Sequence, residues 1–87
     1  MNYKVIGLKL NKRYFKDVFE WRKKFEVRFN DRDFRVGDVL VLKEWDEVVG
    51  VFTGRECFRK VIYMCDLSEI GLKGYVGLGL GLSYRLP

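Results

Sequence analysis

The stretch KKFEVRFNDRDFRVGD, residues 23 to 38, has the pattern of a β-strand that runs into a turn. Phe25, Val27 and Phe29 alternate with polar neighbours, a period typical of a half-buried strand, so this apolar row is expected to face a core. The alternate row is polar throughout: Lys24, Glu26, Arg28 and Asn30. This second row forms either an ordinary solvated face or a surface that holds a polar ligand.

The segments around this strand indicate one helix and five or six strands. Residues 12–23 carry apolar side chains at helical spacing, with Asn11 as a candidate N-cap. Strands are predicted at 5–10, 24–30, 39–45, 55–65 and 75–84, with a hairpin turn using Gly50 and Gly54, and a loop or helical turn at 66–74. The order β-α-β-β-β-β favours a small α+β fold, a mostly antiparallel β-barrel capped by one helix; an α+β sandwich is the alternative.

Length and composition limit the class of protein. A chain of 87 residues, 48% hydrophobic and 16% aromatic, makes a single domain over residues 1–87 with a modest core. No apolar run reaches the roughly 18 residues that span a bilayer, and the chain starts without a signal-peptide pattern. Cys57 and Cys65 fall too far apart on one predicted strand to form a disulfide, so they are expected to be buried free thiols of a cytoplasmic protein.

The residue types also exclude several kinds of chemistry. The chain contains no histidine, so Ser-His-Asp and Cys-His catalysis is excluded and a structural zinc site lacks ligands. No metal or cofactor is predicted. The glycines of GLGLGL (77–82) lie in a strand with no following helix, which indicates curvature or close packing rather than a dinucleotide site. Trp21 and Trp45 flank apolar segments and are expected to be at least partly buried.

Charge is unevenly distributed along a chain whose net charge is +5. Residues 12–35 hold nine lysines and arginines against five acidic residues, whereas residues 36–69 hold four against seven. A basic segment of this kind suits an anionic partner, although basic small domains without such a partner are also common.

Lys23, Glu26 and Arg28 are the strongest candidates for a site. Lys23 ends the predicted helix, and Glu26 and Arg28 share one strand face, so the three side chains are expected to converge beside the helix end. A guanidinium fork suits a phosphate or a base edge, and a carboxylate accepts from an amine or acts as a base. A solvated ion-pair cluster is the alternative interpretation.

The segment K-x-x-E-x-R, Lys23 to Arg28, resembles the signature of the ASCH domain, a branch of the PUA-like superfamily. The blocks NDRDFRVGDVLVLKEWD (30–46), FTGRE (52–56) and GYVGLGL (74–80) resemble a small bacterial and phage subfamily of that group. The resemblance covers nearly the whole chain and implies a PUA-like β-barrel with a helix between the first two strands. Where the family usually carries glycine two residues before the motif lysine, this chain carries Trp21.

ASCH domains are proposed to bind RNA in a cleft beside the helix, and some relatives are hydrolases or ribonucleases. The resemblance therefore implies a site at Lys23, Glu26 and Arg28, adjoined by Asn30, Asp31 and Arg32. An amidohydrolase relative carries threonine where this chain has Glu26, so Lys23 is the only position that matches its catalytic residues.

Three functional hypotheses follow. In the first, an RNA- or nucleotide-binding module uses Lys23, Arg28 and Arg32 against phosphate or a base edge, and Glu26 accepts from a base amine or orients the two cations. Lys12, Arg13 and Lys16 extend the basic track along the helix. In the second, a hydrolytic enzyme on RNA or modified nucleosides uses Lys23 and Glu26 as catalytic residues. In the third, the basic face of a small phage-type protein docks on a protein partner.

Overall fold

The computed structural model describes residues 3–83. Its elements are β1 (Val5–Asn11), α1 (Lys12–Phe19), β2 (Phe25–Phe29), β3 (Val39–Asp46), β4 (Val51–Asp66), a short 3₁₀ helix (Leu67–Ile70) and β5 (Tyr75–Leu82). The predicted element order is confirmed. The predicted fourth strand is longer than expected because it begins directly after the turn at Gly50; Gly54, also at positive φ, lies inside it. Tyr84, placed in the last predicted strand, lies outside the described residues.

The five strands form one curled half-barrel sheet in the order β1-β3-β4-β5-β2. β1 pairs with β3 in parallel, and the three other pairings are antiparallel. β1 and β2 are therefore the two edges of the sheet, and α1 connects them. Within residues 3–83, no helix has both the length and the apolarity to cross a membrane.

The core lies between the concave face of the sheet and α1. Phe15 and Val18 of the helix are fully buried against Leu40 and Leu42 of β3 and Leu78 of β5. β3 is buried on both faces over its first four residues, as its continuous apolar run predicts, and it lies inside the sheet between β1 and β4. The core thus fixes the helix over the middle of the half-barrel.

The helix is shorter than the sequence pattern predicts. It ends at Phe19 rather than near residue 23, since Trp21 adopts a left-handed φ of 63°. The backbone N–H groups of Arg22 and Lys23 both donate to the carbonyl of Asp17, which turns the chain back toward the sheet. This turn, rather than the helix itself, places Lys23. Glycine adopts positive φ more readily than residues with a Cβ atom, so Trp21 holds a backbone conformation that is less favourable for it.

The prediction that the apolar row of β2 faces the core is wrong. Phe25, Val27 and Phe29 are about half exposed on the outer face, whereas Glu26 is buried on the concave face and Arg28 is half-buried there. The reason is the position of β2 at the edge: its concave side faces the opening between β1 and α1 rather than the centre of the core. Glu26 and Arg28, the middle of the polar row, therefore line a cleft, whereas Lys24 and Asn30 do not.

The glycines of β5 lie on the outer face, opposite the buried Val76, Leu78 and Leu80. A methyl group at Gly77 would approach the sulfur of Cys65 to 3.1 Å, and one at Gly79 would approach Cβ of Tyr63 to 3.2 Å. Close packing of β5 against β4 thus explains the repeat. Leu82 is largely exposed at the end of the strand.

Both cysteines are free thiols, but only Cys57 is buried as predicted. Cys65 is exposed, because the register of β4 shifts between residues 61 and 63 and turns Cys65 to the outer face. Burial raises the pKa of the Cys57 thiol, although the nearby Arg59 charge opposes this.

Asp38 closes the turn before β3. Its carboxylate is fully buried and accepts from the backbone N–H groups of Lys4, at 2.8 Å, and Arg35, at 2.9 Å. The Lys4 ammonium lies 3.0 Å away. Burial by itself would raise the pKa of Asp38, but these hydrogen bonds and the Lys4 charge together hold it below its ordinary value.

Candidate functional site

An open cleft of about 540 Å³ lies between α1 and the two edge strands. β1 contributes Lys9, Leu10 and Asn11, α1 contributes Tyr14, and the chain from the helix to the end of β2 contributes Lys23, Phe25, Glu26, Val27 and Arg28. Since β1 and β2 are far apart in the strand order, only the curl of the sheet brings them together. The cleft therefore occupies the mouth of the half-barrel.

Lys23, Glu26 and Arg28 converge at this cleft, as the sequence predicts. The Lys23 ammonium pairs with Oε1 of Glu26, and Nε of Arg28 donates to Oε2 at 2.8 Å. The Glu26 side chain is only 4% exposed, against 22% for Lys23 and 24% for Arg28. One buried carboxylate thus holds two cations at the cleft surface, and its charge is compensated on both oxygens.

Both cations are also held by backbone carbonyls. The Lys23 ammonium donates to the carbonyl of Phe25 at 2.9 Å, and Nη2 of Arg28 donates to the carbonyl of Lys9 on β1 at 2.9 Å. Lysine has three N–H donors and arginine has five. Within residues 3–83, one N–H of Lys23 and the Nη1 group of Arg28 consequently remain without a protein acceptor. These are the donors that an anionic ligand would meet.

Two aromatic rings flank the ammonium of Lys23. Its nitrogen lies 4.9 Å from the ring centre of Phe25 and 5.7 Å from that of Tyr14. Both rings are substantially exposed at the cleft, which leaves ring surface available to a planar ligand. The site therefore offers positive charge, fixed N–H donors and aromatic surface within one opening.

Arg32, Asn30 and Asp31 lie outside the cleft lining. Nη1 of Arg32 donates to the carbonyl of Gly7 on β1 at 3.3 Å, so Arg32 and Arg28 both bridge the gap between the edge strands. The side chain of Asn30 accepts from the backbone N–H of Phe34 at 2.9 Å, and Asp31 is exposed in the same turn. Asn30 is a turn-forming residue in this structure.

The predicted basic track along α1 is partly neutralised by the turn between β3 and β4. The ammonium of Lys12 lies 3.6 Å from Asp46, and Nε of Arg13 lies 3.8 Å from Glu47. These four residues line a separate pocket of about 480 Å³. Lys16 is exposed on the helix surface. The structure thus places these three cations apart from the cluster around Glu26, and their role in binding stays a prediction.

Arg59 is a contributor that the sequence analysis missed. Its guanidinium is buried, and Nη2 donates to the carbonyls of Val18 and Phe19 at the end of α1. The ring of Trp21 covers it at 3.8 Å, and its Nε has no hydrogen-bond partner in the described part of the chain. Arg59 thereby caps the helix end just before the turn that places Lys23. The alternation of side chains along the fourth strand puts residue 59 on the inner face, and this pattern could have identified Arg59 from the sequence.

Lys9 and Asn11 of the cleft lining were also missed from the sequence, because only the curl of the sheet brings β1 to the cleft.

Among the described residues, no three carboxylate or thiol side chains are close enough to hold a metal ion. Arg55 lies outside the cleft lining, with its Nη1 3.9 Å from the carboxylate of the buried Glu44.

Comparison with known proteins places this architecture in a family. The model of the domain of unknown function DUF3850 matches residues 5–80, which is most of the chain and includes the whole cleft. The chain belongs to this family. The chain is also similar to the "Uncharacterized 12.9 kDa protein in GpA 3'region" of Escherichia phage P2. The two sequences are 41% identical over 87 residues, which cover 100% of this chain and 77% of the relative. The cleft described here is thus a feature within the matched part of a DUF3850 domain.

Proposed function

We propose that this DUF3850 domain binds RNA or a nucleotide, with the cleft between α1 and the edge strands as its site. The observation that carries the proposal is the pair of cations held by the buried Glu26, each with an unused N–H donor, together with the two exposed rings beside Lys23. Fixed cations suit phosphate oxygens, and exposed rings next to them suit bases.

Glu26 has an orienting role in this proposal. Both of its oxygens are already engaged by Lys23 and Arg28, so a ligand would meet the cations rather than the carboxylate. Orientation of the two cations is one of the roles that the first hypothesis gives to Glu26. Preorganised donors bind an anion with less loss of side-chain freedom than mobile surface cations do.

A PUA-like identity of the half-barrel, of the ASCH type, is part of the same proposal. It is supported by the K-x-x-E-x-R segment, which lines the cleft, and by the position of the helix between the first two strands. The proposal includes a cytoplasmic location, because RNA and reduced thiols occur together in that compartment. The hydrolytic hypothesis, with Lys23 and Glu26 as catalytic residues, and the protein-docking hypothesis both stay predictions.

The proposal is tested by fluorescence anisotropy of a labelled single-stranded RNA pool. Lys23→Met removes the ammonium and retains the length of the side chain, while Arg28 continues to pair with Glu26. We expect roughly tenfold weaker binding or more, since a hydrogen bond to a charged group contributes about 1.5–3 kcal/mol. Lys60→Met, an exposed lysine on the outer side of β4, is the matched control and should bind as the wild type does.

The same samples on a denaturing gel separate binding from hydrolysis. Intact RNA together with the expected loss of affinity in Lys23→Met would support a binding module. RNA shortened by the wild type but not by Glu26→Gln would replace the proposal with the hydrolytic one. Equal affinity of the wild type and Lys23→Met would show that the cleft is not the RNA site.

A further inference from the structure

The apolar row of β2 leaves an unusual surface on the outer face of the sheet. Phe25 and Phe29 are each 54% exposed and Val27 is 48% exposed, on a strand with only one neighbour. Natural proteins usually protect an edge strand with charges or with a covering segment, and a contiguous exposed apolar surface often marks a binding site. Here the charges of the strand point into the cleft instead.

The cross-strand neighbours of this row leave space beside the rings. Phe25 pairs with Gly79 of β5, so no side chain from that position packs against its ring. Tyr63 of β4 pairs with the same glycine and is 68% exposed. Phe25 and Tyr63 thus stand on either side of Gly79, two strand spacings or about 9–10 Å apart at the backbone. A planar group stacked between two rings needs about 7–8 Å, which is less than this backbone separation.

A second pair of rings lies further along the same face. Phe29 and Tyr75 are cross-strand partners in edge-to-face contact, with their ring centres 5.5 Å apart, and both are exposed. The ring of Phe29 also lies directly over Gly74, where an added methyl group would approach it to 2.7 Å. The absence of a side chain at Gly74 therefore leaves room for this ring to lie close over the turn backbone.

This outer face is continuous with the cleft and is bordered by cations. Phe25 lines the cleft as well as the outer row, and the Lys23 ammonium is next to its ring. Lys24 directly precedes the apolar row, and the exposed Lys73 lies near its other end. Lys73 is placed there because the next residue, Gly74, accepts from the backbone N–H of Asn30 at 2.8 Å. Aromatic surface with cations at its borders is the pattern by which proteins bind single-stranded nucleic acid.

We propose that a single RNA strand bound in the cleft continues over the edge of β2 onto this outer face, where its bases stack on Phe25, Tyr63 and Phe29. The inference rests on the function proposed above and specifies its substrate: a single strand of several nucleotides, rather than a mononucleotide or a duplex. In a duplex the bases are stacked on one another and do not present free faces to these rings.

The test compares two fluorescently labelled RNAs, a uridine dinucleotide and an oligouridylate of about eight nucleotides, a length within the usual site sizes for single strands. Tyr63→Ala and Phe29→Ala are expected to weaken the longer RNA at least about fivefold, the loss of one base–ring stack, and to leave the dinucleotide unaffected. Tyr63→Phe, which retains the ring, should bind as the wild type does. Tyr3→Ala removes an exposed ring near the start of β1 and is the matched control.

The outcomes distinguish this inference from the proposed function. If both alanine variants bind the longer RNA as tightly as the wild type while Lys23→Met binds it weakly, the cleft binds RNA and the outer face does not. If the wild type binds neither RNA, the proposed function fails and this inference fails with it. If sedimentation shows a wild-type dimer that Tyr63→Ala dissociates without changing RNA affinity, the outer face is an interface between copies and the inference is overturned.

Discussion

At the scale of single residues, Glu26 is the group on which the cleft depends. Its carboxylate is buried and holds Lys23 and Arg28 together. Glu26→Gln removes the negative charge and leaves two adjacent cations that are only about a quarter exposed. We expect the free energy of unfolding to fall by about 1–3 kcal/mol, as measured by urea denaturation. This decrease is smaller than the one expected when a fully buried ion pair is broken, because water still reaches both cations.

Glu56→Gln is the matched control for this substitution, because Glu56 is an exposed glutamate on β4. Its free energy of unfolding is expected to stay within about 0.5 kcal/mol of the wild type. Equal stability of Glu26→Gln and Glu56→Gln would mean that the cluster around Glu26 does not stabilise the fold.

Asp38 makes the stability of the domain depend on acid. Its pKa in the folded chain is held below the ordinary aspartate value of about 3.9 by Lys4 and Arg35, which outweigh the opposite effect of burial. A lowered pKa means that the stabilisation is present above about pH 4 and is lost as the pH falls through the folded-state pKa. Urea midpoints between about pH 5 and pH 2 should therefore decline less steeply in Asp38→Asn than in the wild type. Parallel declines would contradict this role of Asp38.

At the scale of elements, the turn after α1 determines where Lys23 lies. Trp21 adopts a φ of 63°, which costs less for glycine than for residues with a Cβ atom. Trp21→Gly and Trp21→Ala both remove the ring that covers Arg59, so their difference isolates the backbone conformation. We expect the glycine variant to be more stable than the alanine variant by about 1 kcal/mol in urea denaturation. A more stable alanine variant would show that this turn is not strained.

At the scale of the whole molecule, the distribution of cations sets the salt dependence expected for the proposed RNA binding. Lys12 and Arg13 have acidic partners on the β3–β4 turn, whereas Lys23 retains a free donor at the cleft. In anisotropy titrations across a salt series, Lys23→Met should reduce the slope of log K against log salt by about 0.7, which corresponds to one phosphate contact. The double variant Lys12→Met, Arg13→Met should retain the wild-type slope.

A reduced slope in the double variant with an unchanged slope in Lys23→Met would place the RNA along α1 instead of in the cleft. That result would favour a basic track formed by Lys12, Arg13 and Lys16. Since both variants remove only exposed or half-buried cations, each is expected to fold as the wild type does.

The sequence by itself determined the local structure and the membership of the cluster. The alternation in residues 25–29 sets a strand with Glu26 and Arg28 on one face, because side chains in a strand repeat every two residues. The continuous apolar run at 39–42 predicts a strand inside the sheet, and the turn at Gly50 predicts the hairpin between β3 and β4. These features depend on neighbours within a few residues, so they can be predicted without the fold.

Only the tertiary structure decided which face of β2 is inside and what lies across from it. A period of two defines two faces but does not choose between them; that choice came from the position of β2 at the sheet edge, opposite β1. Lys9, Tyr14 and Arg59 join or support the cleft through contacts that are distant in sequence. The energetic reason is that α1 and β3 already fill the core, which leaves the mouth of the half-barrel to the polar row and exposes the apolar one.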